Sequence, residues 1–142
     1  MIVLNTLNHA VTEYSLAPQS MTPTHFGDAL GLYAFGGDND DTTPIIIRFV
    51  SGKTEWGSSL KKRVNMVYFA VAGEGVGELI VQTPDTEYNY TFNIQSSGQS
   101  RAQPGKGIHE NYLAFGYSNP GGESFTIDRI EVLVAESATR RV

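Results

Sequence analysis

The feature that most limits the fold of this chain is a succession of short apolar runs separated by glycine, proline and polar turn residues. The runs PIIIRFV at 44–50 and NMVYFAVA at 65–72 are rich in β-branched residues and apolar on both faces, as in buried strands. No segment has a sustained helical period of apolar residues. The chain is therefore expected to be all-β.

The spacing of the predicted strands favours a sandwich, because strands recurring at roughly 8–12-residue intervals without helices are typical of sandwiches and barrels. Turn signals occur at TPDT, residues 83–86, and at NPGG, residues 119–122, and the second is expected to join 110–118 and 124–135 as the last pair of strands. The last strand, 124–135, alternates apolar and polar residues, and its phase slips at Asp128–Arg129, which predicts a β-bulge. We expect a single-domain antiparallel β-sandwich (jelly-roll-like) over 1–142, with a long loop at 94–109 before the last two strands.

Composition excludes several classes of protein. The chain has 142 residues, an ordinary length for one domain, and the absence of cysteine excludes disulfides, thiolate zinc sites and cysteine nucleophiles. The net charge of −5 argues against non-specific binding to nucleic acid or to an anionic membrane. The apolar runs are too short to span a bilayer. We predict no nucleic-acid partner and no membrane insertion.

No assembled catalytic motif is present. The chain lacks a Gly-x-Ser-x-Gly elbow, a phosphate loop and a dinucleotide fingerprint, and nothing singles out one pair of carboxylates for glycoside hydrolysis. We therefore predict that the protein is not an enzyme and uses no cofactor.

The acidic stretch GGDNDDT at residues 36–42 offers oxygen ligands of the kind that Ca²⁺ prefers. The pattern of a calcium loop is incomplete, because position twelve from Asp38 is Phe49 rather than glutamate. A polar hairpin tip between strands at 31–35 and 44–50 is the favoured interpretation. We predict no metal site, with a weak candidate formed by Asp38, Asp40 and Asp41.

Charge is distributed unevenly along the chain. Residues 1–47 hold five acids and no base, whereas KKR at 61–63 is a tight basic cluster. Surfaces of opposite charge suit head-to-tail contacts between subunits, although charge runs are also typical of solvated loops. The predicted oligomer contact joins Lys61, Lys62 and Arg63 of one subunit to Asp38, Asp40 and Asp41 of the next.

Exposed aromatic side chains are a second candidate for recognition. Trp56 is the only tryptophan, and Tyr112 lies in a tyrosine-rich second half. Aromatic rings on β-sandwiches stack on sugars, so the two residues are a possible ligand platform. The alternative is that these rings pack on neighbouring strands.

Three stretches together resemble a known family. They are GLYAFGGDNDDTTPI at Gly31–Ile45, SGKTEWGSSLKKRV at Ser51–Val64, and a third made of Gly105–Ile108, Phe125–Val132 and Arg140–Val142. In this order and spacing they resemble tail-associated virion proteins of tailed bacteriophages. The resemblance implies a structural protein of the tail tip or baseplate, made in the host cytoplasm and assembled into the virion.

What the resemblance implies is self-association and docking to other virion proteins, not catalysis. Two alternatives remain: a carbohydrate-binding module that contacts host cell-surface glycans, and a capsid decoration protein. A solvent-facing Trp56 or Tyr112 beside a polar rim favours carbohydrate binding, whereas a buried Trp56 with a charged contact favours a scaffold.

Overall fold

The fold is described by a computed structural model for residues 2–4, 6–7, 11–13, 17–37, 39–40 and 42–137. All regular structure in these residues is β-strand, so the all-β prediction is confirmed. The chain divides into two units, residues 1–37 and 38–142, which are described separately. The single domain expected over 1–142 stays a prediction, and the sandwich lies within the second unit.

The described residues of the first unit form five short antiparallel strands. A two-stranded sheet joins β1 to β2, and a three-stranded sheet has the order β3-β4-β5. The strands are β1 (Ile2–Leu4), β2 (Val11–Glu13), β3 (Ser20–Met21), β4 (His25–Gly27) and β5 (Leu32–Ala34). Phe26 stacks on Tyr33, with ring centroids 4.9 Å apart.

Ten strands form in the part of the second unit that the structure describes. They are β6 (Asn39–Asp40), β7 (Thr43–Pro44), β8 (Arg48–Val50), β9 (Lys62–Gly73), β10 (Val76–Gln82), β11 (Glu87–Asn93), β12 (Gln99–Ala102), β13 (His109–Glu110), β14 (Ala114–Ser118) and β15 (Phe125–Glu136). One sheet has the order β11-β10-β14-β8, and in the other β9 lies between β15 and the pair β12 and β13. Strands β6 and β7 form a separate hairpin.

The two larger sheets share one hydrophobic core. Alternate residues of β9, such as Val67 and Phe69, point toward alternate residues of β10 and β14. Phe69 stacks on Phe92 with a centroid distance of 4.6 Å, and Tyr117 packs among neighbouring rings. Burial on both inner faces gives the sandwich that the strand spacing predicts.

Two local predictions are confirmed. The turn at 83–86 closes the β10–β11 hairpin, with the backbone N–H of Thr83 donating to the carbonyl of Thr86 at 2.8 Å. In the pairing of β15 with β9, Ile127 lies opposite Val71 and Arg129 opposite Ala70, so one extra residue of β15 forms the predicted bulge.

Three local predictions are corrected. The segments on either side of the 119–122 turn do not pair, because β14 pairs with β10 and β8 while β15 pairs with β9. The predicted loop at 94–109 contains β12, which its polar sequence QSRA conceals. The acidic hairpin has its arms at 39–40 and 43–44 rather than at 31–35 and 44–50.

Candidate functional site

The basic cluster is divided by strand alternation. Lys62 is fully buried, and its Nζ donates hydrogen bonds to the backbone carbonyls of Ser58 and Leu60. Lys61 and Arg63 are exposed on the other face of the chain. The predicted role of Lys62 in a partner contact is therefore corrected, since its ammonium group is used inside the subunit.

The two exposed bases have only weak partners of their own. Lys61 Nζ lies 3.8 Å from Glu110 Oε2, and Arg63 Nε donates to Asn65 Oδ1 at 3.2 Å. Exposed ion pairs of this kind contribute little to stability. Both cations remain accessible to an acidic surface of another molecule.

On the acidic side, Asp40 is exposed in β6 and pairs in register with Thr43. Asp38 and Asp41 lie outside the described residues. Within the residues that the structure describes, no three His, Cys, Asp or Glu side chains are grouped to hold a metal ion. The weak cation candidate and the acidic contact stay predictions.

Trp56 occupies an unusual backbone conformation. Its φ of 49° is left-handed, a region that non-glycine residues rarely adopt, and Gly57 follows with φ 84°. The indole Nε1 donates to the carbonyl of Leu113 at 2.9 Å, and its ring meets Phe115 edge-on at 5.3 Å. These two contacts fix the ring while leaving the residue 39% exposed.

Tyr112 is 46% exposed and lies beside Glu55. A hydrogen bond to the Glu55 carboxylate and the charge of that group raise the pKa of the Tyr112 phenol. Thr54 and Leu113 form an isolated antiparallel bridge, so Glu55 and Tyr112 face each other across it.

The two exposed aromatic side chains have different neighbours. Trp56 packs edge-on against Phe115, whereas Tyr112 lies beside Glu55. Both rings are partly accessible to a ligand. A ligand platform shared by the two rings stays a prediction.

A surface that the sequence did not reveal lies along β8. The odd-numbered residues of this segment bond to β14: Asn119 N–H donates to the Ile47 carbonyl, and Ser51 N–H donates to the Phe115 carbonyl. In an antiparallel ladder the intervening residues direct their backbone groups away from the partner strand. Arg48 and Val50 therefore present N–H and C=O groups at an open edge of the sheet.

The open β8 edge is also apolar. Ile46 is 60% exposed and Phe49 is 42% exposed, and Ile45 and Ile47 are exposed beside them. The one cation in the strand, Arg48, is directed to Glu87, with Nη2 2.6 Å from Oε2. We define the β8 edge as residues 45–50.

An outer strand of the other sheet, β15, differs in ways that protect an edge. It carries a bulge and exposed charged residues, including Arg129 and Glu131, whose side chains pair at 3.1 Å. Bulges and charges are the usual means of preventing strand addition. The β8 edge has neither a bulge nor an unpaired charge, and it is therefore better suited to association than β15. Which backbone groups of β8 face outward depends on its pairing with β14, and the sequence alone does not identify that partner strand.

A groove lies where β11 leads into β12. It has a volume of about 660 Å³ and is lined by Tyr68, Phe92, Asn93, Gln95, Gln99, Ser100 and Arg101. Sequence reasoning missed it because Gln95, Gln99, Ser100 and Arg101 were assigned to a loop, with no indication that they meet Tyr68 of the predicted strand 65–72.

Comparisons of the chain with protein-family models, with curated proteins and with solved structures give no match. The described part of the chain contains no helix long and apolar enough to cross a membrane.

Proposed function

We propose that the protein is a structural component of a phage virion, at the tail tip or baseplate, that acts by self-association and by docking to other virion proteins. The resemblance to tail-associated virion proteins supports the location. The observation that carries self-association is the β8 edge, with outward backbone groups at Arg48 and Val50 and exposed Ile46 and Phe49.

The proposed partner of this edge is a second copy of the chain. Two β8 edges that meet antiparallel satisfy each other's backbone groups and bury their isoleucines together. Lys61 and Arg63 supply a further contact to Asp40 of a neighbouring subunit, and this part of the interface is sensitive to salt.

Light scattering on the purified chain tests this proposal. We expect a discrete oligomer whose mass is a multiple of 15.5 kDa. Ile46→Lys, which places a charge on the open edge, is expected to raise the dissociation constant about tenfold or more.

Leu133→Lys is the matched control, because Leu133 is an exposed apolar residue of the protected strand β15. A monomer at every concentration overturns self-association. An equal effect of the two substitutions overturns the assignment to the β8 edge.

Carbohydrate binding is the second candidate, and the exposed indole of Trp56 favours it. Left-handed backbone at a bulky residue stores roughly 1–3 kcal/mol of strain, which is characteristic of functional positions. A glycan array probed with the wild type and with Trp56→Ala tests this candidate. Binding that persists unchanged in the variant excludes the indole as the contact.

A further inference from the structure

We infer that the groove between β11 and β12 binds a neutral oligosaccharide. The inference rests on the second candidate function, carbohydrate binding, but it assigns the ligand to a different site from Trp56. The groove has a volume of about 660 Å³, which falls within the range of roughly 300–1,000 Å³ common for ligand sites.

The groove is held open by structural contacts. Ser100 is buried, and its Oγ accepts a hydrogen bond from the backbone N–H of Gln95 at 2.9 Å. This bond ties the chain leaving β11 to β12. Phe92, which stacks on Phe69 in the core, contributes the apolar floor.

Polar side chains at the rim are not used by the fold. In the described part of the chain, the side chains of Asn93, Gln99 and Arg101 make no hydrogen bond or ion pair, although they line the groove together. A primary amide offers both donors and an acceptor, which matches sugar hydroxyls that also do both. Arg101 adds a planar set of donors.

The aromatic ring of Tyr68 also lines the groove and adds a stacking surface for a sugar. Tyr68 lies directly across from Arg101 in the pairing of β12 with β9 and is half-buried. Gln99 and Arg101 are two residues apart on the strand, so both lie on the Tyr68 face. A phenol ring flanked by an amide and a guanidinium suits the apolar face and the hydroxyl rim of a pyranose.

The charge of the groove argues for a neutral ligand. No acidic side chain lines it, and Arg101 is the one charged residue among the lining residues. A single cation on a chain of net charge −5 is poorly suited to a phosphate backbone or a polyanionic chain.

NMR titration of the ¹⁵N-labelled full chain with maltotriose, cellotriose and triacetylchitotriose tests the inference. At least one of these trisaccharides is expected to shift the side-chain amide signals of Asn93 and Gln99, with a dissociation constant of about 1 mM or tighter. Gln99→Ala and Tyr68→Ala are each expected to weaken binding about fivefold or more.

Tyr88→Ala, at an exposed aromatic residue of β11 that does not line the groove, is the control variant and is expected to leave the affinity unchanged. Gln99→Ala replaces an exposed side chain and keeps the test valid if Tyr68→Ala disturbs the sheet. The inference is overturned if none of the three sugars shifts the amide signals. It is also overturned if binding is lost only in Trp56→Ala, an outcome that supports carbohydrate binding at the indole instead. The mass of the oligomer is measured in a separate experiment, so the proposal of self-association does not depend on whether a sugar binds.

Discussion

The side-chain Oδ1 of Asn119 accepts a hydrogen bond from the backbone N–H of Ile47, with a nitrogen–oxygen distance of 2.6 Å. The same amide donates from Nδ2 to the carbonyls of Ile45 and Glu123, at 3.3 and 3.1 Å. Asn119 is buried, and its side-chain amide bonds to the backbone of residues 45–47 as a neighbouring strand would. These bonds hold residues 45–47 in place. The β8 edge thus depends on one side chain of the β14–β15 turn.

Asn119→Ala is expected to lower the free energy of unfolding by about 1–3 kcal/mol, because it removes three part-buried hydrogen bonds, to the N–H of Ile47 and to the carbonyls of Ile45 and Glu123. Urea unfolding measures the loss. The control Gln103→Ala, at an exposed position after β12, is expected to stay within about 0.5 kcal/mol of the wild type. Equal effects of the two substitutions contradict the role of Asn119.

Tyr117→Phe is expected to stabilise the protein by about 0.5–2 kcal/mol. The Tyr117 hydroxyl is buried without a hydrogen-bond partner in the described part of the chain, and burial raises its pKa. Phenylalanine keeps the ring contact with Phe125 at 4.8 Å and removes the unsatisfied group. A lower urea midpoint in the variant would reveal a partner for the hydroxyl. Tyr88→Phe, at an exposed tyrosine of β11 whose hydroxyl makes no hydrogen bond among the described residues, is the neutral control.

The ion pair between Arg48 and Glu87 gives the protein an acid-sensitive contribution. Hydrogen bonds from Gln82 and Arg48 lower the pKa of Glu87 below its ordinary value of 4.5. The pKa of Glu87 is therefore lower in the folded protein than in the unfolded chain. The stabilisation from its charge is present above pH 4.5 and is lost as the pH falls through the folded pKa.

Glu87→Gln is therefore expected to be less stable than the wild type at neutral pH and equally stable in strong acid. Urea unfolding at a series of pH values checks this convergence, with Glu78→Gln as a control carboxylate that has no ion pair among the described residues. A stability difference that does not change with pH would refute the contribution of the Glu87 charge.

Charge reversal separates assembly from folding. The double variant Lys61→Glu and Arg63→Glu is expected to raise the dissociation constant of the oligomer about tenfold and to reduce its salt dependence. The thermal midpoint is expected to change little, because both side chains are exposed. Lys53→Glu with Lys106→Glu is the control of equal charge. Normal assembly of the first variant would eliminate the charged contact.

Strand alternation explains what the sequence could predict. The apolar run at 65–72, the 83–86 turn and the bulge near Asp128 are local signals, and they appear in the fold. The prediction of a buried strand over 44–50 is wrong, because only Arg48–Val50 pairs with β14 and this edge strand leaves Ile45, Ile46, Ile47 and Phe49 exposed. Lys62 could also have been assigned to the interior, because it alternates in phase with buried Val64. Its charge concealed this pattern.

The remainder of the site depends on which strands meet, which local signals do not encode. β12 is short and polar, so only its pairing with β9 identifies it as a strand. The approach of Glu55 to Tyr112 follows from the bridge between Thr54 and Leu113, which are distant in sequence. The open β8 edge likewise follows from long-range pairing with β14.

Amide hydrogen exchange at Arg48 and Val50, measured over a range of protein concentrations, tests the proposed edge most directly. Their N–H groups point away from β14, whereas the N–H groups of Ile47 and Ser51 bond within the subunit and serve as internal references. We predict that protection at Arg48 and Val50 rises with concentration while the references stay constant. Exchange at the two positions that stays fast and independent of concentration in the assembled protein would contradict self-association through β8.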